Sequence, residues 1–183
     1  ETPVSYRRRI GESKLRSFSD GWRHLRFMLI YAPDYIYAVP GATSTLLGTT
    51  LMALSADGTM KIGGVTFYSA PTILGSFLTI IGFNILLLNI YSKVFAASTG
   101  LEKQNKLVKL TAKHLTFERG LAAGFTLFSA AVAVSAAFLT HWVLSGYYSL
   151  KTPNTFIILL TAAVLGLQTM FSTVFLSMML IER

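Results

Sequence analysis

Apolar and polar positions along this 183-residue chain are sorted into long blocks rather than alternating. Four blocks, residues 35–54, 71–93, 120–144 and 154–181, have no Asp, Glu, Lys or Arg in their interiors. At about 1.5 Å per residue each reaches roughly 30 Å, the thickness of a hydrocarbon core. Pro40 and Gly41 should bend the first turns of the first block, because proline cannot donate the usual helical bond. Pro71 and Pro153 stand where a first helical turn accepts proline, and Lys93 closes the second block, where it is expected to snorkel. These blocks predict four transmembrane helices.

Ahead of them the pattern changes. From Ser13 onward Leu15, Phe18, Trp22, Leu25 and Leu29 recur at alternating spacings of three and four, with Arg16, Asp20, Arg23 and His24 on other faces. That periodicity predicts an amphipathic helix over residues 13–33, lying in the headgroup plane and leading through Pro33 into the first span.

Charge adds orientation. Only 13% of residues are charged, against about a quarter in a soluble domain. Of the sixteen Lys and Arg, seven precede the first block, six lie from Lys93 to Arg119, and Arg183 ends the chain, while Lys61 and Lys151 alone occupy the other two loops. The positive-inside rule then puts both termini and the middle loop in the cytoplasm. The fold predicted is an all-α membrane protein with four spans and an amphipathic juxtamembrane helix, in a bacterial inner (plasma) membrane. The net charge of +8 flanks apolar spans instead of spreading over a soluble surface, which points to anionic membrane lipid and not to nucleic acid.

Candidate chemistry concentrates near the start. Within YRRRIGESKL, arginines, a glycine, a serine and a lysine stand close enough to offer paired cations and backbone donors to a phosphate. Arg16, Trp22, Arg23 and Arg26 are expected to contact the membrane interface and its headgroups, and Ser13 doubles as a helix N-cap candidate. With no cysteine and few, scattered acids, neither a catalytic centre nor a metal site is expected within the chain. Asn84, Asn89 and Gln168 read as interhelical hydrogen-bonders. Gly120, Gly124, Ser129, Ala133 and Ala137, with Ala162 and Gly166, read as close-packing stripes. His141, Trp142, Tyr68, Tyr147 and Tyr148 read as interfacial anchors.

The string Arg8-Arg9-Ile10-Gly11-Glu12-Ser13-Lys14-Leu15, followed by Asp20-Gly21-Trp22-Arg23-His24-Leu25-Arg26-Phe27-Met28, resembles the end of the catalytic domain and the juxtamembrane helix of family 2 glycosyltransferases. Within that family it is most similar to the polyprenyl-phosphate type related to dolichol-phosphate mannose synthase. Ile62-Gly63-Gly64-Val65-Thr66-Phe67, Ser92-Lys93-Val94-Phe95 and Leu115-Thr116-Phe117-Glu118-Arg119-Gly120 continue the similarity more loosely. The resemblance implies transfer of a sugar from a nucleotide sugar to a polyprenyl phosphate acceptor at the cytoplasmic face. It also implies an α/β domain before residue 1 whose Asp-x-Asp motif holds Mg²⁺ or Mn²⁺. Residues 1–12 would then end that domain, with residues 13–33 as juxtamembrane helix and 34–183 as membrane domain. No Asp-x-Asp occurs in this sequence, so the chain alone is expected to be inactive. Arg8 matches the family arginine near the donor diphosphate or lipid phosphate, and Ser13 and Lys14 match its polar neighbours.

Two other classes compete with this reading. A small transporter or lipid flippase component usually keeps ionisable groups at mid-membrane, and the spans have none. A structural adaptor accounts for the basic loops but not for the Gly-Glu-Ser-Lys string. Small-residue stripes serve contacts within one subunit or between subunits, which leaves a homo-oligomer open.

Overall fold

The computed structural model describes residues 17–31, 34–98, 117–146 and 153–181. In chain order these form helix α1 (Ser17–Tyr31), a π-helical turn (Asp34–Ala38), α2 (Val39–Leu54), strands β1 (Met60–Ile62) and β2 (Val65–Phe67), and helices α3 (Ala70–Ser98), α4 (Phe117–Leu144) and α5 (Pro153–Ile181).

Among the described residues three helices, α3, α4 and α5, are long and apolar enough to cross a membrane. The expected first span differs from them. Its α-helical part, α2, has 16 residues, about 24 Å at 1.5 Å per residue, short of a 30 Å core. The remainder of that block is the π turn. Pro40 is the physical reason: its ring presses on the carbonyl four residues back, at Ile36, and it has no N–H for the ordinary bond, so the turn ahead of it widens. Nor is the fold all-α as expected: β1 and β2 pair as an antiparallel hairpin, Met60 opposite Phe67 and Ile62 opposite Val65. Gly63 and Gly64 form its two-residue turn, both with positive φ (55° and 83°), as a turn matching strand twist requires.

Helices α2 and α3 pack backbone against backbone. Both carry the spacing Gly-x₃-Thr-x₂-Gly: Gly41, Thr45 and Gly48 on one, Gly75, Thr79 and Gly82 on the other. Running antiparallel, each threonine lies over the partner's glycine. A β-carbon at Gly48 would sit 2.5 Å from the Thr79 backbone nitrogen, and one at Gly82 would sit 2.5 Å from that of Thr45. Each hydroxyl donates to its own helix, Thr45 Oγ1 to the Gly41 carbonyl (2.7 Å) and Thr79 Oγ1 to the Gly75 carbonyl (2.8 Å), so neither is left unsatisfied in lipid.

The second hairpin, α4 with α5, uses the predicted glycines. Gly120 faces Thr173, and Gly124 faces Met170 and Gly166. Beyond Gly124 the buried stripe follows Ala131 and Ser135, whereas Ala133 and Ala137 are exposed. A strict four-residue repeat drifts around a 3.6-residue helix, and the stripe turns with the contact.

The hairpins join where α3 meets α5. Ser76 and Thr161 share a 2.7 Å hydroxyl bond, and the rings of Tyr91 and Phe175 meet edge to face at 5.0 Å. Both contacts advance in the same direction along the two helices, which are therefore parallel. The four helices form a row, α2–α3–α5–α4, in which each packs chiefly on its neighbours. At one end Asn154, fully buried, donates from Nδ2 to the Ser55 carbonyl (2.6 Å), while Ser55 Oγ bonds Thr72 Oγ1 (2.7 Å). That cluster ties the end of α2 to the starts of α3 and α5.

Valine at Gly48 or Gly82 should therefore cost about 2 kcal/mol or more by forcing the two backbones apart. Heating followed by size-exclusion chromatography in detergent should show a clear loss of monodisperse protein. Gly21→Ala, with no atom within 4 Å of the new methyl, should be neutral or stabilising by up to about 1 kcal/mol.

Candidate membrane-interface site

Helix α1 forms where the three-and-four spacing predicts it. It has no internal proline, carries Asp20 in its first turn where the helix dipole favours an acid, and ends ahead of Pro33, whose ring restricts the preceding residue. Its apolar stripe is not covered by protein. Phe18 is 89% exposed and Trp22 61%, with Leu25 and Met28 also exposed, and only light contact is made with α3. In water, leaving such side chains uncovered forgoes about 1.5–3 kcal/mol each. A helix with aromatic and aliphatic side chains on one face and arginines beside them has the composition of helices that lie at a lipid headgroup and acyl boundary.

Arg23 and Arg26 are exposed and lie one turn apart along one side of the stripe. From there their stems can lie along the apolar boundary while their guanidinium groups meet phosphate oxygens. Trp22, Arg23 and Arg26 are thus brought together on one helix. Arg8, Ser13, Lys14 and Arg16 lie outside the described residues.

After α1 the π turn presents Tyr35, 83% exposed, and contacts α3. Lys93 corrects the expectation of snorkelling: it is 5% exposed, one turn beyond the buried Asn89, and α3 continues past it to Ser98. Protein, not headgroup, surrounds its stem. At the start of α4, Glu118 and Arg119 are exposed, at the end expected to face the cytoplasm. Among the described residues no three His, Asp or Glu side chains gather as a metal site.

The interhelical amides also differ from expectation. Neither the buried Oδ1 of Asn89 nor the buried Oε1 of Gln168 has a hydrogen-bond partner, and Asn84 is exposed. Bonds between helices come instead from short side chains, Ser55 with Thr72, Ser76 with Thr161, and Asn154 with the Ser55 carbonyl. The Gly-x₃-Thr-x₂-Gly repeat was the available signal for one close crossing. Gly-Gly between two β-prone triplets was the signal for the hairpin.

Residues 90–180 match the C-terminal transmembrane region of glycosyltransferase family 2. Among curated proteins, the low-salt glycan biosynthesis hexosyltransferase Agl6 of Haloferax volcanii is 31% identical over 173 residues, 94% of this chain and 41% of that protein. The chain thus spans about two fifths of the length of this relative. No solved structure matches it significantly.

The uncovered stripe of α1 makes a direct prediction. In lipid vesicles, with Trp142 replaced by Phe so that Trp22 is the sole indole of these residues, emission should be blue-shifted and quenched most by lipids brominated near the headgroup. Emission characteristic of water, unaffected by those lipids, would place α1 off the membrane.

Proposed function

We propose that this chain, whose residues 90–180 match the glycosyltransferase family 2 C-terminal transmembrane region, holds such an enzyme in the membrane and presents its lipid acceptor. The acceptor is a polyprenyl phosphate and the donor a nucleotide sugar. Transfer takes place at the cytoplasmic face. The observation that carries this reading is the uncovered apolar stripe of α1 with Arg23 and Arg26 beside it, immediately ahead of the membrane helices.

A polyprenyl phosphate keeps its chain in hydrocarbon and its charge at headgroup level, so its receptor needs cations at that level next to the bilayer. Residues 7–26 have this chemistry. In the proposed arrangement Arg8, Ser13 and Lys14 hold the donor diphosphate or the lipid phosphate. Arg16, Trp22, Arg23 and Arg26 fix the depth of the approach helix. Fixed cations favour the charge that develops on the departing diphosphate, and they do so best where water is scarce. Mg²⁺ or Mn²⁺, when bound, would supply Lewis acidity in a catalytic domain outside these residues.

We also read the π turn and α2 together as a fourth crossing, with both termini cytoplasmic. The support is the antiparallel interlock. α2 follows α3 from Ser55 opposite Thr72 to Gly41 beside Leu86, and the π turn continues that contact.

Two outcomes follow. Arg8→Ala in the complete enzyme should lower sugar transfer about tenfold or more while leaving the protein in the membrane fraction; an unaltered rate would remove Arg8 from the site. In sealed vesicles, Ser19→Cys should react with an impermeant maleimide only from the cytoplasmic side and Thr59→Cys only from the opposite side. Labelling of both from one side would make α2 a re-entrant helix.

A further inference from the structure

The hairpin between α2 and α3 has two unlike sides. Residues directly opposite on an antiparallel pair share a side, and successive residues of a strand alternate. The register Met60–Phe67, Lys61–Thr66 and Ile62–Val65 therefore puts positions 60, 62, 65 and 67 on one side and positions 61 and 66 on the other. The first set is Met, Ile, Val and Phe; the second is Lys and Thr. Protein does not cover the apolar side: Val65 is 56% exposed and Phe67 39%, and each strand packs chiefly on the other. A two-stranded hairpin by itself is marginal in water, and one whose apolar side stays wet has still less to hold it.

Its position supplies the cover. Only Tyr68 and Ser69 separate Phe67 from Ala70, the first residue of the membrane-length helix α3. Extended chain advances about 3.4 Å per residue, so Phe67 lies within roughly 10 Å of that helix end. Exposed apolar side chains continue along the chain from Val65, Phe67 and Tyr68 into Ile73, Leu74 and Phe77 of α3, where a spanning helix meets lipid. From Gly58 to Ser69 Lys61 is the single charge, and no acid occurs to repel a phosphate. Phospholipid meets both sides of the ribbon at once, acyl chains against the apolar side and phosphates around Lys61, with Tyr68 at the depth tyrosine favours. Lipid is already present at that level, and any other occupant would have to displace it.

We propose that the β1–β2 hairpin is a membrane-binding element lying in the phospholipid headgroup layer at the start of α3, its apolar side on the acyl chains and Lys61 among the phosphates. Only the crossing by α3 is required, whichever face of the membrane the hairpin occupies. The ribbon then fixes the depth of the α2–α3 connection independently of α1.

These 183 residues contain no cysteine, so single nitroxide labels can be placed at Met60→Cys, Lys61→Cys, Val65→Cys, Thr66→Cys and Phe67→Cys. The complete protein, any other cysteine replaced by serine, is reconstituted in phosphatidylcholine–phosphatidylglycerol vesicles. Relaxation by oxygen, which concentrates in lipid, is compared with relaxation by a water-soluble nickel chelate present on both sides. The oxygen-to-nickel ratio should be about threefold or more higher at 60, 65 and 67 than at 61 and 66. Equal ratios, with nickel reaching all five positions, would overturn the proposal by placing the hairpin in water. Poor access of both agents to 60, 65 and 67 would overturn it in favour of a protein contact. Adding Val65→Asp and Phe67→Asp to the Met60→Cys label should bring position 60 to the ratio found at 61 and 66, while the chain stays monodisperse and membrane-inserted. An unchanged ratio would overturn the role of the apolar side.

Discussion

A bilayer removes the force that assembles soluble proteins: lipid tails are as apolar as leucine, so two helices gain nothing from hiding leucine against each other. What remains is dispersion between closely approached backbones and the few hydrogen bonds that hydrocarbon cannot replace. Everything compact in this molecule depends on that. Gly48 and Gly82 bring α2 and α3 into backbone contact, Gly124 and Gly166 do the same for α4 and α5, and hydroxyls and one asparagine join the hairpins. Large apolar residues such as Phe77, Phe125 and Phe171 point outward. The result is a row of helices, because helices held by small contact patches need no common core.

This economy explains what could be read from the sequence. Length and hydropathy locate α3, α4 and α5, since a spanning helix must satisfy every backbone group within itself. The GxxxG pair at Gly120 and Gly124 was readable because close approach in lipid needs small residues at helical spacing. The rest of that stripe was not, because Ala133 and Ser135 are equally small and only the twist of α5 around α4 decides which is buried. Pro40 announced a disturbance without its form. Lys93 was misleading for a related reason: a cation near the end of an apolar block snorkels only when it faces lipid, and its helix turns it toward protein.

The candidate site divides along similar lines. Trp22, Arg23 and Arg26 could be placed on one helix from periodicity, since an interfacial helix takes its geometry from spacing alone. The contact of α3 with α5 was invisible, because it joins two segments some eighty residues apart in the parallel direction imposed by the intervening α4. Asn84 and Gln168 looked like ordinary links between helices within the chain; that Asn84 is exposed and the Gln168 carbonyl has no partner emerges only in three dimensions. The string at Arg8 to Leu15 carried chemistry by resemblance. The match to the glycosyltransferase family 2 transmembrane region covers different residues, 90–180.

The repeated Gly-x₃-Thr-x₂-Gly spacing also bears on how this chain can change over time. A methyl at Gly48 would meet the Gly75 carbonyl oxygen and the Thr79 nitrogen as well as the Thr79 hydroxyl, and one at Gly82 would meet the Thr45 nitrogen and the Gly41 carbonyl oxygen. Main chain is the same whatever residue carries it, so no change of side chain opposite makes room. Both glycines therefore stay fixed while their threonines remain free to vary, a constraint on divergence that neither helix shows when considered by itself.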